Sequence, residues 1–382
     1  LLNRLKNLKI PKLAALCALT ASMSLVAASF APLETSIDLQ AKSKTTSSKL
    51  KGDYTLDKEA NEFNLQTSMI QNAHECFPIY IKDVSQIGVL YLYCSDEAQD
   101  QDGKTQEITS NFTVPYKIAR RYNFWRRIYS LWGGDQYVMH SSHWPEVVLE
   151  ALDGSNLPDR MGPIARDHKI KKVAKGRRAM YKNILLSMHR NRRHPERFTP
   201  VMKRIERQMK HITQNDKYYV AAVTLRMQKG QRDFIAGGLA RAPKYLPHIQ
   251  KNFKEMGVPP EIALLAFVES SFNLKARSKV GASGVYQIMP STGRQYLKLY
   301  GGVDERNDPI KASRAAAKLL KLNYKLLGAW PLAITAYNHG VGGLRRAVKA
   351  TGSTDISYII DNYNGRAFKF ASKNFFTSYL GI

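Results

Sequence analysis

IALLAFVESSFN, residues 262–273, places an acid directly after seven apolar residues. Burying an ionised carboxylate is costly unless it is paired, so Glu269 either turns to solvent or sits neutral in an apolar site. Pro259 and Pro260 open a helix with Glu261 in its first turn. Apolar residues on every side of the 261–268 run mean that protein surrounds this helix. Glu269 then falls at its C-terminal end. Desolvation and the partial negative charge of a helix C-terminus both disfavour the anion and raise the pKa. A carboxylic acid that keeps its proton near neutral pH is suited to general-acid work. A Glu that caps an exposed turn would give the same stretch.

The chain downstream is helical and well punctuated. Gly281 and Gly284 mark a turn before Val285-Tyr286-Gln287-Ile288-Met289. Asp308 is an N-cap followed by Pro309 at the first helical position, and that helix runs to Leu327, where Gly328 stops it. Pro331 opens a shorter helix ending near Asn338, and FKFASKNFFTSYL, residues 368–380, reads as another.

Three segments carry a resemblance when taken together: GVPPEIALLAFVESSFN (257–273), SKVGASGVYQIMPSTG (278–293) and AITAYNHGVGGLRRA (333–347). An ES pair near a helix end, GASG with Gln three residues past its second Gly, MPST, and AYN-x-G follow in order. The set resembles the soluble-lytic-transglycosylase, goose-lysozyme-like family of glycosidases, and its membrane-bound D branch most. The likeness is close over 245–382 and looser over 115–250, where FWRRIY, the basic helices and LRMQKGQRDFIAGGLARAPKYLPHI look like the helical leader of larger members. It implies a mainly α chain, with a lysozyme-like α+β catalytic domain that carries a small β-hairpin. A mostly helical N-terminal region with a few short strands precedes it.

Position by position, the resemblance implies Glu269 as the single catalytic acid and Ser270 as its ES partner. Ser278, Gln287 and Met289 would line the sugar cleft. Tyr337 would bring its hydroxyl to the acid, and Asn338 completes that motif. Two departures are further candidate substrate contacts: Tyr286, where the family usually has Met or Trp, and His339, where a small residue is common. Plainer roles stand beside these, with Met289 as core, Tyr337 as an ordinary helix aromatic and the glycines as turn formers. The implied chemistry is a one-acid cleavage of peptidoglycan that leaves a 1,6-anhydro end, with no cofactor or metal. A lysozyme-type hydrolase on the same fold and an inert wall-binding protein are the alternatives.

The 382 residues exceed one typical domain, and 44% apolar content is that of a globular protein. The net charge of +27 and pI of about 9.9 favour anionic partners without choosing among them. Arg4, Lys6, Lys9 and Lys12 precede an uncharged, mostly apolar stretch from Leu13 to Ala31. Residues 1–31 therefore read as a secretory signal, with an uncleaved membrane anchor as the alternative. Export implies the periplasm or cell envelope, with possible membrane association, and disfavours nucleic acid as partner. It leaves the oligomeric state open. Cys17 follows Leu16, which does not fit lipid attachment, and Cys76 and Cys94 are either bridged or two thiols.

The expected organisation is a signal or anchor (1–31), a Ser/Thr/Lys-rich linker (32–64), a strand-containing segment (65–115), a helical module (116–245) and the catalytic domain (246–382). YVMHSSHWPEVVLEAL, 137–152, reads as a hairpin with His140 and His143 near its turn, and no third metal ligand stands nearby. A basic tract runs from Lys169 to Arg197; such a run is usually a solvated face or a hold on an anionic polymer.

Overall fold

The computed structural model describes Phe77–Val84, Ile87–Tyr93, Gln106–Thr109 and residues 111–382. The expected signal, the linker, Cys76 and Cys94 lie outside the described residues. Two compact units result. One runs to Pro243 and takes in Leu380–Ile382; the other is Lys244–Tyr379.

The first unit is built on a sheet. Its strands are β1 (Phe77–Val84), β2 (Ile87–Tyr93), β5 (Gln136–Ser141), β6 (Val148–Asp153) and β7 (Leu225–Lys229), in the order β1-β2-β6-β5-β7, all antiparallel. A separate small hairpin pairs β3 (Gln106–Thr109) with β4 (Phe112–Val114). The 137–152 hairpin is thus the centre of the sheet, and nearly all its residues are buried. The helices are α1 (Tyr116–Ser130), α2 (Pro163–Arg190), α3 (Pro200–Gln208), α4 (Lys217–Val223) and α5 (Arg232–Arg241).

Ile170, Ala174, Arg177, Tyr181, Leu185 and Met188 recur along α2 at helical spacing and form its buried stripe. They pack with Met139, Leu149 and Leu152 of the sheet. Arg177 enters this core because it donates two hydrogen bonds of 2.6 Å to the Glu150 carboxylate, which is itself fully buried. One expectation changes here. Leu225–Lys229, read as part of a helical leader, is a strand, because β5 offers it an unpaired edge from Tyr137 to Ser141. His140 and His143 do not meet as a metal pair. His140 is fully buried with Nδ1 on the Ser141 carbonyl, and His143 packs edge-on against Trp144.

The second unit is a helical cluster. It comprises α6 (Leu246–Glu255), a 3-10 turn (Pro260–Leu264), α7 (Leu265–Ser270), α8 (Pro290–Tyr296), α9 (Pro309–Leu327), α10 (Trp330–His339), α11 (Val341–Thr351), α12 (Ile356–Asn362) and α13 (Phe370–Leu380). A two-residue-per-strand hairpin, β8 (Leu299–Tyr300) with β9 (Val303–Asp304), precedes α9. Asp308 caps α9 by accepting from Ile310 N at 2.9 Å and Lys311 N at 3.0 Å. Gly328 ends that helix at φ 77°, a left-handed angle that suits glycine. Buried Ala312, Ala315 and Ala316 let neighbouring helices approach α9, which packs on α6 and α10. Helix α9 thereby becomes the spine that fixes α10 and its AYN motif.

Candidate active site

Glu269 lies in the last turn of α7, after the buried Leu265, Ala266 and Phe267. The helix ends through two left-handed residues that are not glycine, Ser271 at φ 50° and Phe272 at φ 58°. Each such angle costs about 1–3 kcal/mol. Phe272 is fully buried and packs edge-on against Phe267 at 4.8 Å, and burying a Phe returns about 1.5–3 kcal/mol. The abrupt stop leaves Glu269 at the helix end, a residue half-buried overall whose carboxyl is desolvated. Among the described residues no ion pair or side-chain hydrogen bond holds it. Burial alone pushes its pKa up to about 8.

The 276–289 segment stands beside this helix end. Ser270 is fully buried, and its hydroxyl donates to the Val285 carbonyl at 2.8 Å. Its role is to tie α7 to the loop, which differs from the expected substrate contact. Gly281 (φ 91°) and Gly284 (φ 74°) supply the turns, and Gln287 adds a third left-handed non-glycine residue at φ 45°. A side chain at Gly284 would run into the Arg306 carbonyl oxygen, so only glycine fits. The Gln287 amide donates to the carbonyls of Ala276 (3.1 Å) and Gly284 (2.9 Å), which holds its strained backbone. The Ser278 hydroxyl accepts from Ala282 N at 2.9 Å. Ser278, Gln287, Met289 and Asn338 are all half-buried at the surface of the unit.

Two expected contacts face elsewhere. Tyr286 is fully buried; its hydroxyl donates to the Ala263 carbonyl at 3.0 Å and its ring stacks on Phe253. Its side chain is core, because the loop turns it under the 3-10 turn rather than toward solvent. His339 pairs Nδ1 with the Ser372 hydroxyl at 2.9 Å, meets Phe368 edge-on and fills the space left by Gly343. Burial lowers its pKa, with the Arg346 charge second, and the Glu269 charge is not among the causes. Tyr337 does stand by the acid: burial and then the Glu269 charge raise its pKa. Its hydroxyl, however, donates to the Tyr286 carbonyl at 2.8 Å instead of to Glu269.

The clamp on this loop was not read from the sequence. Arg306, buried, donates to the carbonyls of Gly281 (2.7 Å) and Ile288 (3.0 Å). Asp304 holds it in a two-pronged pair at 2.9 and 2.8 Å, and that pairing lowers the Asp304 pKa. Asn307 accepts from the Ser283 hydroxyl at 2.8 Å. The polar run DERNDP, 304–309, was the available signal, and its residues are spent on this clamp and on the α9 cap.

Most other carboxylates of this unit have structural partners. Asp304 is paired with Arg306, Glu305 with Lys311 and Glu255 with Lys251 and Arg314. Asp308 and Asp355 cap helices. Glu261 sits by the Tyr379 ring system, and Asp361 is exposed. No second carboxylate contributes to the upward shift of Glu269.

Residues 247–360, within the second unit, match the family described as Transglycosylase SLT domain. Among individual proteins, the membrane-bound lytic murein transglycosylase D of Escherichia coli is 40% identical over 111 residues, 28% of this chain and 25% of that protein. The membrane-bound lytic murein transglycosylase C of Actinobacillus succinogenes is 35% identical over 121 residues, 28% of this chain and 34% of that protein. An inactive mutant of the lytic transglycosylase Slt of Pseudomonas aeruginosa aligns in three dimensions at a TM-score of 0.31 and 20% identity, over 51% of this chain and 29% of that one. The chain spans about a quarter of the length of the first curated relatives it matches.

Proposed function

We propose that the protein is a peptidoglycan lytic transglycosylase that cuts the β-1,4 bond between N-acetylmuramic acid and N-acetylglucosamine. The observation that carries this is Glu269, an acid held protonated by burial alone, with no carboxylate partner beside it. Most glycosidases use two carboxylates. A single one suffices when the second reactant is part of the substrate. Glu269 gives its proton to the glycosidic oxygen as the C1–O bond breaks, and the muramic N-acetyl group supports the positive centre. The Glu269 anion then takes the proton of the muramic 6-hydroxyl as that oxygen bonds to C1. The products are a free 4-hydroxyl and a 1,6-anhydro end, with the acid regenerated and no water consumed. Holding the 6-hydroxyl in place makes the second step intramolecular, which is worth several orders of magnitude in rate.

Ser278, Gln287, Met289 and Asn338 border the cleft, while Tyr337 and Ser270 position the loop against Glu269. Tyr286 and His339 act through packing. The basic and then apolar N-terminal run supports export to the periplasm or cell envelope. Among the described residues no helix is long and apolar enough to cross a membrane.

Mass spectrometry of digested peptidoglycan tests the assignment. Products one water lighter than hydrolysis products are expected; intact reducing ends make the protein a hydrolase. Glu269→Gln is expected to abolish clearing of purified sacculi, and unchanged clearing removes Glu269 from the chemistry.

A further inference from the structure

The first unit carries a charged face that the cleavage reaction does not use. Helix α2 has 28 residues and one acid, Asp167, against nine Lys and Arg. That acid is already engaged by Tyr137, Lys171 and Lys229. Arg166 pairs with Asp135 and Asp159, and Arg177 with Glu150. Lys172, Lys175, Arg178 and Lys182 are exposed and have no acidic partner among the described residues. Lys171, Lys175, Arg178 and Lys182 follow at steps of four, three and four, so they lie on one line of the helix over roughly 16 Å. Like charges at these spacings destabilise a helix. Lys171 offsets part of this through its pair with Asp167, but the fold gains nothing from Lys175, Arg178 and Lys182, because the buried stripe through Ile170, Ala174 and Tyr181 does the packing.

The same line begins with an apolar residue. Ile164 stands seven positions before Lys171, in the first turn of α2, and is 72% exposed. An exposed large apolar side chain in line with a row of cations suits the boundary between headgroups and acyl chains. The row holds no Trp, Tyr or Phe on which a sugar or a base could stack. Lys, three of its four cations, is a flexible point charge suited to a fluid array of phosphates. Helix α3 repeats the spacing with exposed Lys203 and Arg207, followed by Lys210.

We propose that the α2 face formed by Ile164, Lys171, Lys175, Arg178 and Lys182 docks the protein on an anionic lipid surface. The docking is peripheral, reversible and salt-sensitive, and it is independent of whether the N-terminal apolar segment is retained. It also does not depend on the cleavage reaction.

Co-sedimentation of the full chain with vesicles tests it. Phosphatidylglycerol mixed into phosphatidylcholine is expected to bind more protein than phosphatidylcholine alone, with the excess lost at high salt. The four-fold variant K171Q/K175Q/R178Q/K182Q is expected to lower the affinity for anionic vesicles by at least about tenfold. Ile164→Ser is expected to weaken binding while leaving its salt dependence intact. Both sites are exposed, and a thermal melt matching wild type establishes that the variants are folded. Equal binding of wild type and the four-fold variant overturns the proposal, as does equal binding to charged and neutral vesicles. Salt-sensitive binding to purified sacculi or to duplex DNA with none to vesicles overturns it also, and reassigns the face to that polymer.

Discussion

Glu269→Gln separates stability from activity, and its size follows from the site. The native carboxyl keeps its proton up to about pH 8, whereas an unperturbed Glu releases it at 4.5. Below 4.5 both the folded and unfolded chains are protonated here, so Gln and Glu should be equally stable. Between the two values the unfolded chain ionises and the folded chain does not. The unfolded state then binds fewer protons, and wild-type stability falls as pH rises. The loss is about 1.36 kcal/mol per pH unit, so at pH 7 it reaches about 3 kcal/mol. A neutral Gln of the same shape escapes it. Above pH 8 the gap stops growing, and the partial exposure of the residue trims it. Thermal unfolding of wild type and variant at pH 4, 7 and 9 measures this. The expected gain for the variant at pH 7 is roughly 6–12 °C in the transition of the helical unit, and about none at pH 4. A variant no more stable than wild type at pH 7, or equally more stable at pH 4, would refute the account of a neutral buried acid. Muropeptide release from the same samples should be lost throughout.

Four further outcomes are expected. The pH profile of kcat/KM for glycan cleavage should have a descending limb near pH 8, where Glu269 gives up its proton; a flat profile to pH 10 contradicts the general-acid role. Gly284→Ala should destabilise the helical unit by about 2–4 kcal/mol in urea unfolding, because a Cβ meets the Arg306 carbonyl and φ is 74°. Arg306→Ala should cost about 3–5 kcal/mol and lower kcat, since it strands Asp304 and frees Gly281 and Ile288. Gly176→Ala should stabilise the sheet unit by about 1 kcal/mol, since nothing lies within 4 Å of the added methyl in mid-helix.

Local rules made much of the second unit legible. Asp308-Pro309 and Gly328 act within one turn of the chain and set the ends of α9, whereas Pro259-Pro260 opens a 3-10 turn and the α-helix expected over 261–268 begins only at Leu265. The strands of 77–93 and the 137–152 hairpin were also readable, from β-branched runs and alternation. The strand Leu225–Lys229 was not, because its conformation depends on an edge contributed by residues some ninety positions earlier. Helices α11 and α12 were not separated in the sequence, although Gly352, at φ 66°, ends the first and Asp355 caps the second.

The candidate site divides in the same way. The sequence by itself determined that an acid follows an apolar helix, that glycines turn the next loop, and that a Tyr-Asn pair returns later. Those are facts of composition and spacing. Tertiary structure decided where the side chains go. Tyr286 is core because the loop folds under Ala263, Ser270 is a tie because Val285 passes over it, and His339 turns to Ser372. Arg306 matters because Gly281, Ile288 and Asp304 converge on it from separate segments. The raised pKa of Glu269 belongs to both levels. The apolar run made it expected, but desolvation depends on what packs around the carboxyl, and only the folded chain sets that.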